Sequence, residues 1–453
     1  MKSPRLLSFV MVLLCLALVG GCSTQPKVMA SSISGHGSKP RKLAVFFDGT
    51  ANDESSDTNI RKLHSLVTLQ DRPDISTFYI EGVGANGKVV GMATGWGTRY
   101  RVKHAYRYLA KHYVRANGDT IYLFGFSRGA YSARILASML HHAGLPDHVL
   151  GDTELDAMTD AVYDPFTGIK PSSERRNAVK KALQERGFPS LKPVNVAFMG
   201  LWDTVEALGL PDYEENFQDP NLFYGDQLCN VEKASHAMAL DDDRANIFTP
   251  ILLTRGNLLE ECDGGDSGGK VSMSRTGEQK KPLSSDMKKR LNRTVNEVWF
   301  SGAHADVGGG YPNTLLSGVS LNWMIGEIKE VAAGLLPENS KVRSDPREPV
   351  HDPEAGLLWG TLYNRKWRSL DQYVANSPYN HGHLKVHDSV IERLKQPERT
   401  APGQPPRDTQ WRLPRLFENC FRRNSLGGYD YLEGKEVGCL VDRAGVNTSK
   451  GMK

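Results

Sequence analysis

A serine between two glycines is the pattern in this 453-residue chain that most directly suggests chemistry. The sequence is Gly125-Phe126-Ser127-Arg128-Gly129, and it lies between an apolar strand pattern and a helical pattern. A turn this tight needs glycines, because a side chain at either position would clash with the strand or the helix. It presents the serine hydroxyl at a helix N-terminus, where N–H groups and the helix dipole favour developing negative charge. The pattern predicts Ser127 as a nucleophile and the backbone N–H of Arg128 as an oxyanion donor.

A neutral serine needs a general base, and thirteen histidines are available. His304 follows an apolar strand pattern and precedes the glycine run 308–310. Functional side chains of parallel sheets lie at the carboxyl ends of the strands, which favours His304 as the base. His236 is the alternative base. It lies in a pattern over residues 231–240 that is typical of a helix, where it would be a packing residue.

The third member of such a site orients the imidazole and offsets its charge. Asp203 follows a predicted strand over residues 194–201 and is the preferred acid. The chain order Ser127, Asp203, His304 is the order found in α/β-hydrolases. Asp306 is the alternative acid, although its position two residues after His304 suits it better to stabilising that loop.

The end of the first predicted strand carries a second set of polar groups, Asp48, Gly49 and Thr50. The N–H groups of Gly49 and Thr50 could complete an oxyanion hole, and Asp48 is expected to anchor the loop. A metal site built from Asp48, Asp306 and His304 is a weaker alternative, because the spacing matches none of the usual zinc or calcium patterns. We therefore expect no metal and no cofactor.

Strand and helix patterns alternate through the first two thirds of the chain. Strand patterns cover residues 43–47, 76–80, 121–124, 194–201 and 295–300, and helical patterns cover 58–67, 102–113, 128–143 and 174–186. Such alternation is typical of an α/β fold with a mainly parallel sheet and helices on both faces. We assign residues 41–335 to this catalytic domain, with an insertion at 205–290, and 336–453 to a C-terminal extension packing on the core.

The first 21 residues have the features of a bacterial lipoprotein signal. Lys2 and Arg5 precede an apolar segment over 6–19, and Gly20-Gly21 precede Cys22. We expect Cys22 to be acylated, and Ser23 after it favours the outer membrane, facing the periplasm. An ordinary secretory signal is the alternative. Residues 22–40 are rich in Ser, Gly, Lys and Pro, which predicts a tether.

Cysteine usage agrees with export, and the net charge argues against nucleic-acid binding. Cys229, Cys262, Cys420 and Cys439 remain after the leader and Cys22 are set aside, and an even number suits an oxidising compartment. Three pairings are possible. Cys420 with Cys439 is the favoured pairing, because the loop between them is short, and four free thiols are the alternative. The net charge is +4, or +2 without the leader, and no basic cluster is interleaved with aromatics, which argues against nucleic-acid binding.

Several sequence blocks together resemble the catalytic domain of the type VI secretion phospholipase effectors of the first class. They are Phe46-Phe47-Asp48-Gly49-Thr50, Thr58-Asn59, Gly82-Val83-Gly84, the segment from Gly125 to Arg134, Leu201-Trp202-Asp203-Thr204-Val205, the segment from Ala239 to Arg244, and the segment from Gly302 to Tyr311. The resemblance covers about residues 42–311. It implies an α/β-hydrolase-like fold and a Ser-Asp-His esterase acting on phospholipids, with Ser127, Asp203 and His304 in those roles.

The leader adds a departure from that family, because secreted effectors are delivered from the cytoplasm and need no lipoprotein signal. We therefore expect a lipase or phospholipase resident in the envelope, with a lipid substrate and a membrane anchor at Cys22. A metal-dependent phosphoesterase and a non-catalytic envelope lipoprotein that keeps the fold are the alternatives.

Overall fold

The computed structural model describes residues 26–31, 39–49, 56–82, 96–148, 150–168, 172–205, 228–245, 248, 250, 252–253, 285–353, 365–376, 384–397, 412–433, 439 and 441–444. The leader, Cys22, Thr50 and Cys262 lie outside these ranges, as do most of the glycine-rich segment 82–97 and much of the expected insertion. None of the helices within them is both long and apolar enough to cross a membrane.

The described residues form eleven strands and eleven α-helices. The strands are Val28–Ala30 (β1), Lys42–Phe47 (β2), Ile75–Ile80 (β3), Thr120–Phe126 (β4), Phe198–Trp202 (β5), Ala234–Ala239 (β6), Val295–Phe300 (β7), Leu384–His387 (β8), Phe421–Arg423 (β9), Tyr429–Tyr431 (β10) and Val441–Ala444 (β11). The helices are Asn59–Thr68 (α1), Trp96–His112 (α2), Arg128–His142 (α3), Asp152–Gly168 (α4), Ser172–Glu185 (α5), Ser285–Thr294 (α6), His304–Gly308 (α7), Ser317–Val331 (α8), Leu370–Asn376 (α9), Asp388–Leu394 (α10) and Arg412–Leu416 (α11).

One large sheet organises the fold. Its nine strands run in the order β1-β3-β2-β4-β5-β6-β7-β8-β11, and every neighbouring pair except β1 with β3 is parallel. Strands β9 and β10 form a separate antiparallel pair. The parallel strands place their carboxyl ends at one edge, where binding sites of such sheets lie. The predicted α/β-hydrolase-like fold is confirmed.

Helices cover both faces of the sheet, as the strand–helix alternation predicts. Apolar residues of α2, α3, α4 and α5 are buried in one core with alternate residues of β2 and β4. Apolar residues of α1 and α8 are buried in a second core against the other face. Each large apolar side chain in these cores stabilises the fold by about 1.5–3 kcal/mol. The sheet is therefore held from both sides, and the loops at its carboxyl edge are fixed by rigid elements.

Strand β6 corrects two predictions. Residues 231–240 were expected to be helical and to lie in an insertion, but Ala234–Ala239 form a strand in the middle of the sheet, between β5 and β7. All six residues of this strand are buried. A strand buried on both faces has no polar alternation, and the small residues of Ala-Ser-His-Ala-Met-Ala carry little β-propensity. Residues 234–239 of the expected insertion 205–290 therefore belong to the central sheet.

Part of the expected tether is ordered. Strand β1 pairs antiparallel with β3 at the edge of the sheet. Glu81 fixes this strand at one end, because its Oε2 accepts the N–H of Lys27 (3.1 Å) and its own N–H donates to the Lys27 carbonyl (3.1 Å). Composition alone did not predict this strand, since an edge strand needs backbone pairing more than apolar side chains. Residues 22–25 and 32–38 lie outside the described ranges.

The C-terminal segment adds to the same sheet. Strand β8 pairs with β7, and β11 pairs with β8 in parallel register. A third apolar cluster buries residues of β7, β8, α9 and α10 together. Cys420 and Cys439 form a disulfide, and Cys229 is also disulfide-bonded. Two strands of the segment 336–453, β8 and β11, therefore belong to the sheet that positions the site.

Candidate active site

Ser127 occupies the sharp turn between β4 and α3. Its backbone has φ 59° and ψ −129°, a left-handed conformation that is rare for a residue with a side chain. Its N–H donates to the carbonyl of Trp202 at the end of the neighbouring strand β5 (2.9 Å). A non-glycine residue in such a conformation costs about 1–3 kcal/mol and persists only where its surroundings impose it. Strained residues of this kind cluster at functional sites.

The two glycines of the turn are required by contact. A Cβ on Gly125 would lie 2.5 Å from the Cα of Ala130 in α3. A Cβ on Gly129 would lie 2.3 Å from the carbonyl oxygen of Phe47 at the end of β2. The absence of both side chains lets α3 begin directly against β2 and β4. Arg128 is the first residue of α3, where the helix dipole places partial positive charge beside Ser127.

Asp203 and His304 are brought together from positions 101 residues apart in the chain. The His304 Nδ1 lies 2.5 Å from Oδ2 of Asp203. Asp203 follows β5, the strand beside β4, and His304 begins the short helix α7 after β7. Ser127, Asp203 and His304 are therefore all at the carboxyl edge of the sheet. The alternative base His236 and the alternative acid Asp306 take no part in the hydrogen bond between His304 and Asp203.

The other ring nitrogen of His304 has no hydrogen-bond partner among the described residues, although it is buried. The ring lies between Phe126 and Phe248, with centroids 4.7 Å and 5.0 Å away. Phe126 is the residue before Ser127, so the imidazole lies next to the turn that carries the serine. Burial lowers the pKa of His304 below its ordinary value, against the opposing effect of Asp203. The imidazole is therefore neutral at neutral pH, as a general base must be.

A buried arginine holds the Asp203 carboxylate. Arg368 Nη1 donates to Oδ1 (2.8 Å) and Nη2 donates to Oδ2 (2.8 Å), while the N–H of Ala239 also donates to Oδ1 (3.0 Å). Burial alone would raise the pKa of Asp203, but the charges and hydrogen bonds of Arg368 and His304 outweigh it, so this pKa lies well below the ordinary value. Asp203 is therefore ionised beside His304.

Two carboxylates after β6 hold the loop that carries His304. Asp241 Oδ2 accepts the N–H of Gly302 (2.7 Å), and Asp242 Oδ2 accepts the N–H of His304 (3.0 Å). Asn59 at the start of α1 fixes the far end, because its Nδ2 donates to the carbonyl of Val307 (2.8 Å). These contacts give a structural reason for the blocks at residues 58–59 and 239–244 of the sequence resemblance.

The alternative base and acid have other partners. His236 lies in β6, its Nδ1 is 2.8 Å from Glu297 Oε2, and its Nε2 accepts the N–H of Thr204 (3.1 Å). Asp306 accepts from Nδ1 of His351 (2.6 Å) and from the N–H of Ala303. Both ring nitrogens of His236 are therefore hydrogen-bonded within the sheet region, and Asp306 stabilises the loop that carries His304.

Asp48 anchors the end of β2. Its carboxylate accepts the hydroxyls of Tyr79 (2.6 Å) and Thr58 (2.9 Å) and the N–H of Gly49 (2.7 Å). Burial raises the pKa of Asp48 to about 6 against these hydrogen bonds, which lower it. The N–H of Gly49, predicted as an oxyanion donor, thus satisfies this buried carboxylate in the structure. Thr50, the other predicted donor of this loop, lies outside the described residues.

The three residues of the alternative metal site, Asp48, Asp306 and His304, belong to separate hydrogen-bond networks. Asp48 bonds with Tyr79, Asp306 with His351, and His304 with Asp203. In the part of the chain that the structure describes, no three His, Cys, Asp or Glu side chains are grouped as metal ligands.

Sequence reasoning missed two charged residues that contact the Asp203–His304 pair. Asp242 lies in an acidic run within the segment from Ala239 to Arg244, and the resemblance implies no role for it. Arg368 lies 165 residues after Asp203, and nothing in its local sequence, Lys366-Trp367-Arg368-Ser369, distinguishes it from other arginines. Only the fold brings it to the site.

The chain is similar in part to several known proteins. A curated relative, an uncharacterized protein of Saccharomyces cerevisiae, is 28% identical over 243 residues, covering 48% of this chain and 34% of that protein. A solved structure of an uncharacterized protein from Pseudomonas aeruginosa has a TM-score of 0.39 and 20% identity, covering 66% of this chain and 47% of the other. A Tle1 effector bound to the VgrG spike of the type VI secretion system has a TM-score of 0.27 and 16% identity, covering 64% and 57%.

The chain therefore spans about a third to somewhat over half of the length of these three proteins. The model of one protein family, described as "T6SS, Phospholipase effector Tle1-like, catalytic domain", matches residues 41–327. This span contains Ser127, Asp203 and His304, and it is more than half of the chain. The chain belongs to the family of type VI secretion phospholipase effector Tle1-like catalytic domains.

Proposed function

We propose that this protein is a serine ester hydrolase that cleaves a carboxylic ester of a phospholipid or a similar lipid. The observation that carries the proposal is the Asp203–His304 hydrogen bond, with Nε2 of the imidazole left unpartnered beside the strained turn of Ser127. A base held by a carboxylate next to a serine hydroxyl at a helix N-terminus is the arrangement that acyl transfer requires. Family membership supports a lipid substrate.

The reaction follows from the protonation state of the site. With the Nδ1–H donating to Asp203, the neutral imidazole accepts at Nε2. His304 Nε2 takes the proton of Ser127 as Oγ attacks the acyl carbonyl, and Asp203 stabilises the imidazolium. The oxyanion is stabilised by the N-terminus of α3, including the Arg128 N–H. His304 then protonates the leaving alcohol, and water releases the acyl group by the same steps.

The direct test is activity-based labelling of the purified mature protein with a fluorophosphonate probe, together with hydrolysis of a panel of phospholipids and neutral glycerides. Labelling at Ser127 with release of fatty acid is the expected result. Loss of hydrolysis on chelation would favour the metal-dependent phosphoesterase. A protein that neither reacts with the probe nor hydrolyses any lipid would favour a binding role for the fold.

Asp203→Asn should lower kcat on the order of 10⁴-fold, because an amide cannot hold the His304 tautomer that accepts at Nε2. Asp306→Asn should cost far less, since Asp306 bonds with His351 and the Ala303 N–H. Steady-state ester hydrolysis by both variants decides between the two acids. A larger loss in Asp306→Asn would mean that Asp306, and not Asp203, is the acid.

We also propose that the protein is a lipid-anchored resident of the bacterial envelope, in the outer membrane and facing the periplasm. The support is the sequence alone: an apolar segment over residues 6–19 followed by Gly20-Gly21-Cys22. A mature charge near +2 attracts anionic lipids only weakly, so acyl chains on Cys22 would supply the membrane affinity, at about 0.8 kcal/mol per buried methylene.

Cys22→Ser should release the protein from membranes or leave its leader uncleaved. The wild-type protein should sediment with membranes and resist high salt, since so small a charge gives salt little to screen. The matched control is Cys15→Ser, which changes a cysteine that leaves with the leader and should not alter fractionation. Wild-type protein in the cytoplasm with its leader intact would overturn the proposal and favour an effector that binds a secretion spike.

A further inference from the structure

We propose that Arg368 is a positioning residue of the active site, which fixes Asp203 so that the acid can hold His304. The inference rests on the proposed function. Arg368 lies outside residues 41–327, the span that matches the family model. The segment 365–376 would then supply a residue that supports the catalytic site, whereas Ser127, Asp203 and His304 lie within the family domain.

The contacts of Arg368 leave its guanidinium little freedom. It binds both oxygens of Asp203 in the bidentate geometry that is the strongest arginine–carboxylate arrangement, and neither side chain is exposed (0% each). Nη1 also donates to the carbonyl of Ala239 (2.7 Å), and Nη2 donates to that of Phe248 (3.1 Å). The backbone of Arg368 is held in turn, because Arg412 donates to its carbonyl.

These contacts determine which oxygen of Asp203 accepts the Nδ1–H of His304. Arg368 and the Ala239 N–H occupy Oδ1, whereas Oδ2 accepts from Arg368 and from His304 Nδ1. A rotation of the carboxylate would break two charge-assisted hydrogen bonds at once. Arg368 therefore holds Oδ2 towards the ring, which keeps the proton on Nδ1 and leaves Nε2 as the acceptor.

The charges facing the pair come from several elements. Asp242 accepts the His304 N–H and pairs with Arg244 (2.6 Å), and Arg244 opposes a positive charge on His304. Tyr373 in α9 interacts electrostatically with Arg368. Among the groups that bear on Asp203, Arg368 is the cation in direct contact with both oxygens. Removal of Arg368 leaves the buried Asp203 carboxylate without this cation. Protonation of His304 then supplies the missing positive charge, so the pKa of His304 should rise.

The pH dependence of kcat/KM separates positioning from simple structural support. In Arg368→Gln the acid limb, which reports protonation of the free enzyme's base, should move to higher pH by about one unit or more. The value of kcat/KM at its optimum should fall on the order of 10²-fold, because a small displacement of a catalytic group costs about that much. Arg368→Lys keeps the charge, so its acid limb should stay near that of the wild-type protein while its rate falls.

The matched control is Arg365→Gln in the same segment. Arg365 is paired with Asp243 (2.7 Å) and Asp352 (2.7 Å) and does not contact Asp203 or His304. It should lower the thermal midpoint without moving the acid limb. An unmoved acid limb in Arg368→Gln, or an equal movement in Arg365→Gln, would overturn the inference.

A double-mutant cycle covers the case in which Arg368→Gln does not fold alone, because it leaves a buried carboxylate without its cation. Asp203→Asn removes that charge, and the double variant Asp203→Asn with Arg368→Gln removes both members of the pair. If Arg368 acts through Asp203, the double variant should have the same kcat/KM as Asp203→Asn within about threefold. A further loss of 10-fold or more would show that Arg368 acts elsewhere.

Failure of the proposed function is distinguishable from failure of this inference. If the wild-type protein hydrolyses no ester, the esterase proposal fails, and the pKa of His304 can still be measured by NMR of histidine labelled with ¹⁵N. A rise in that pKa in Arg368→Gln, and no rise in Arg365→Gln, supports the role of Arg368. An unchanged pKa in both variants overturns it.

Discussion

Ser127→Ala is expected to abolish ester hydrolysis, with kcat lowered on the order of 10⁶-fold, because the members of a Ser-His-Asp site act as a unit. The side-chain oxygen is the atom that would form the acyl-enzyme, and without it His304 has no group to deprotonate. Residual activity should come from the oxyanion donors and substrate binding alone. Single-turnover hydrolysis of a short-chain ester and loss of fluorophosphonate labelling measure the effect.

The fold should survive this substitution. Ser127 is 3% exposed, its side chain is small, and its φ of 59° is imposed by flanking elements that alanine leaves in place. Ser132→Ala is the matched control, because Ser132 lies in α3, the helix that follows Ser127, and its Oγ donates to the carbonyl of Arg128 (3.0 Å). The control should keep hydrolysis within a few-fold. If Ser127→Ala retained more than about a hundredth of wild-type turnover, Ser127 would not be the nucleophile.

The sequence predicts the parts of this fold whose signals are local. Apolar runs locate β2, β3, β4 and β7, and Thr58 caps α1 as its position suggests, with its hydroxyl accepting the N–H of Arg61 (3.0 Å). The Gly125–Gly129 motif has a steric requirement that short-range reasoning can anticipate. The same holds for Asp203 and His304, since residues just after parallel strands meet at one edge of the sheet.

What the sequence does not predict depends on long-range pairing. Strand β6 is built from small residues and has no periodicity that separates a doubly buried strand from a helix. The sequence predicts the Gly49 N–H as a donor in an oxyanion hole. In the structure this N–H donates to the Asp48 carboxylate instead, because a buried carboxylate must be hydrogen-bonded. Arg368 reaches Asp203 only because the C-terminal segment returns to the sheet, and no local pattern records that contact.

His304→Ala is expected to lower kcat on the order of 10⁶-fold, close to the loss in Ser127→Ala. Among the described residues, no other imidazole is hydrogen-bonded to Asp203 and could replace His304 as the base. The wild-type rate should fall as pH drops through the pKa of His304, which burial places below the ordinary value of 6.5. Activity should therefore persist into mildly acidic solution. Initial rates across pH for the wild-type protein, beside the residual rate of His304→Ala, measure both expectations.

His236→Gln is the matched control for the base. His236 is as deeply buried as His304, but its Nδ1 is bonded to Glu297 and its Nε2 to the N–H of Thr204, so neither nitrogen can take a proton from a serine. The amide of glutamine can donate to Glu297, whereas alanine would leave that carboxylate short of a partner at about 1–3 kcal/mol. His236→Gln should therefore lower stability modestly and leave the rate of acylation within a few-fold of wild type. If the acylation rate collapsed in this variant while the protein stayed folded, and His304→Ala remained active, then the base would be His236, and the pair at the carboxyl edge of the sheet would be structural.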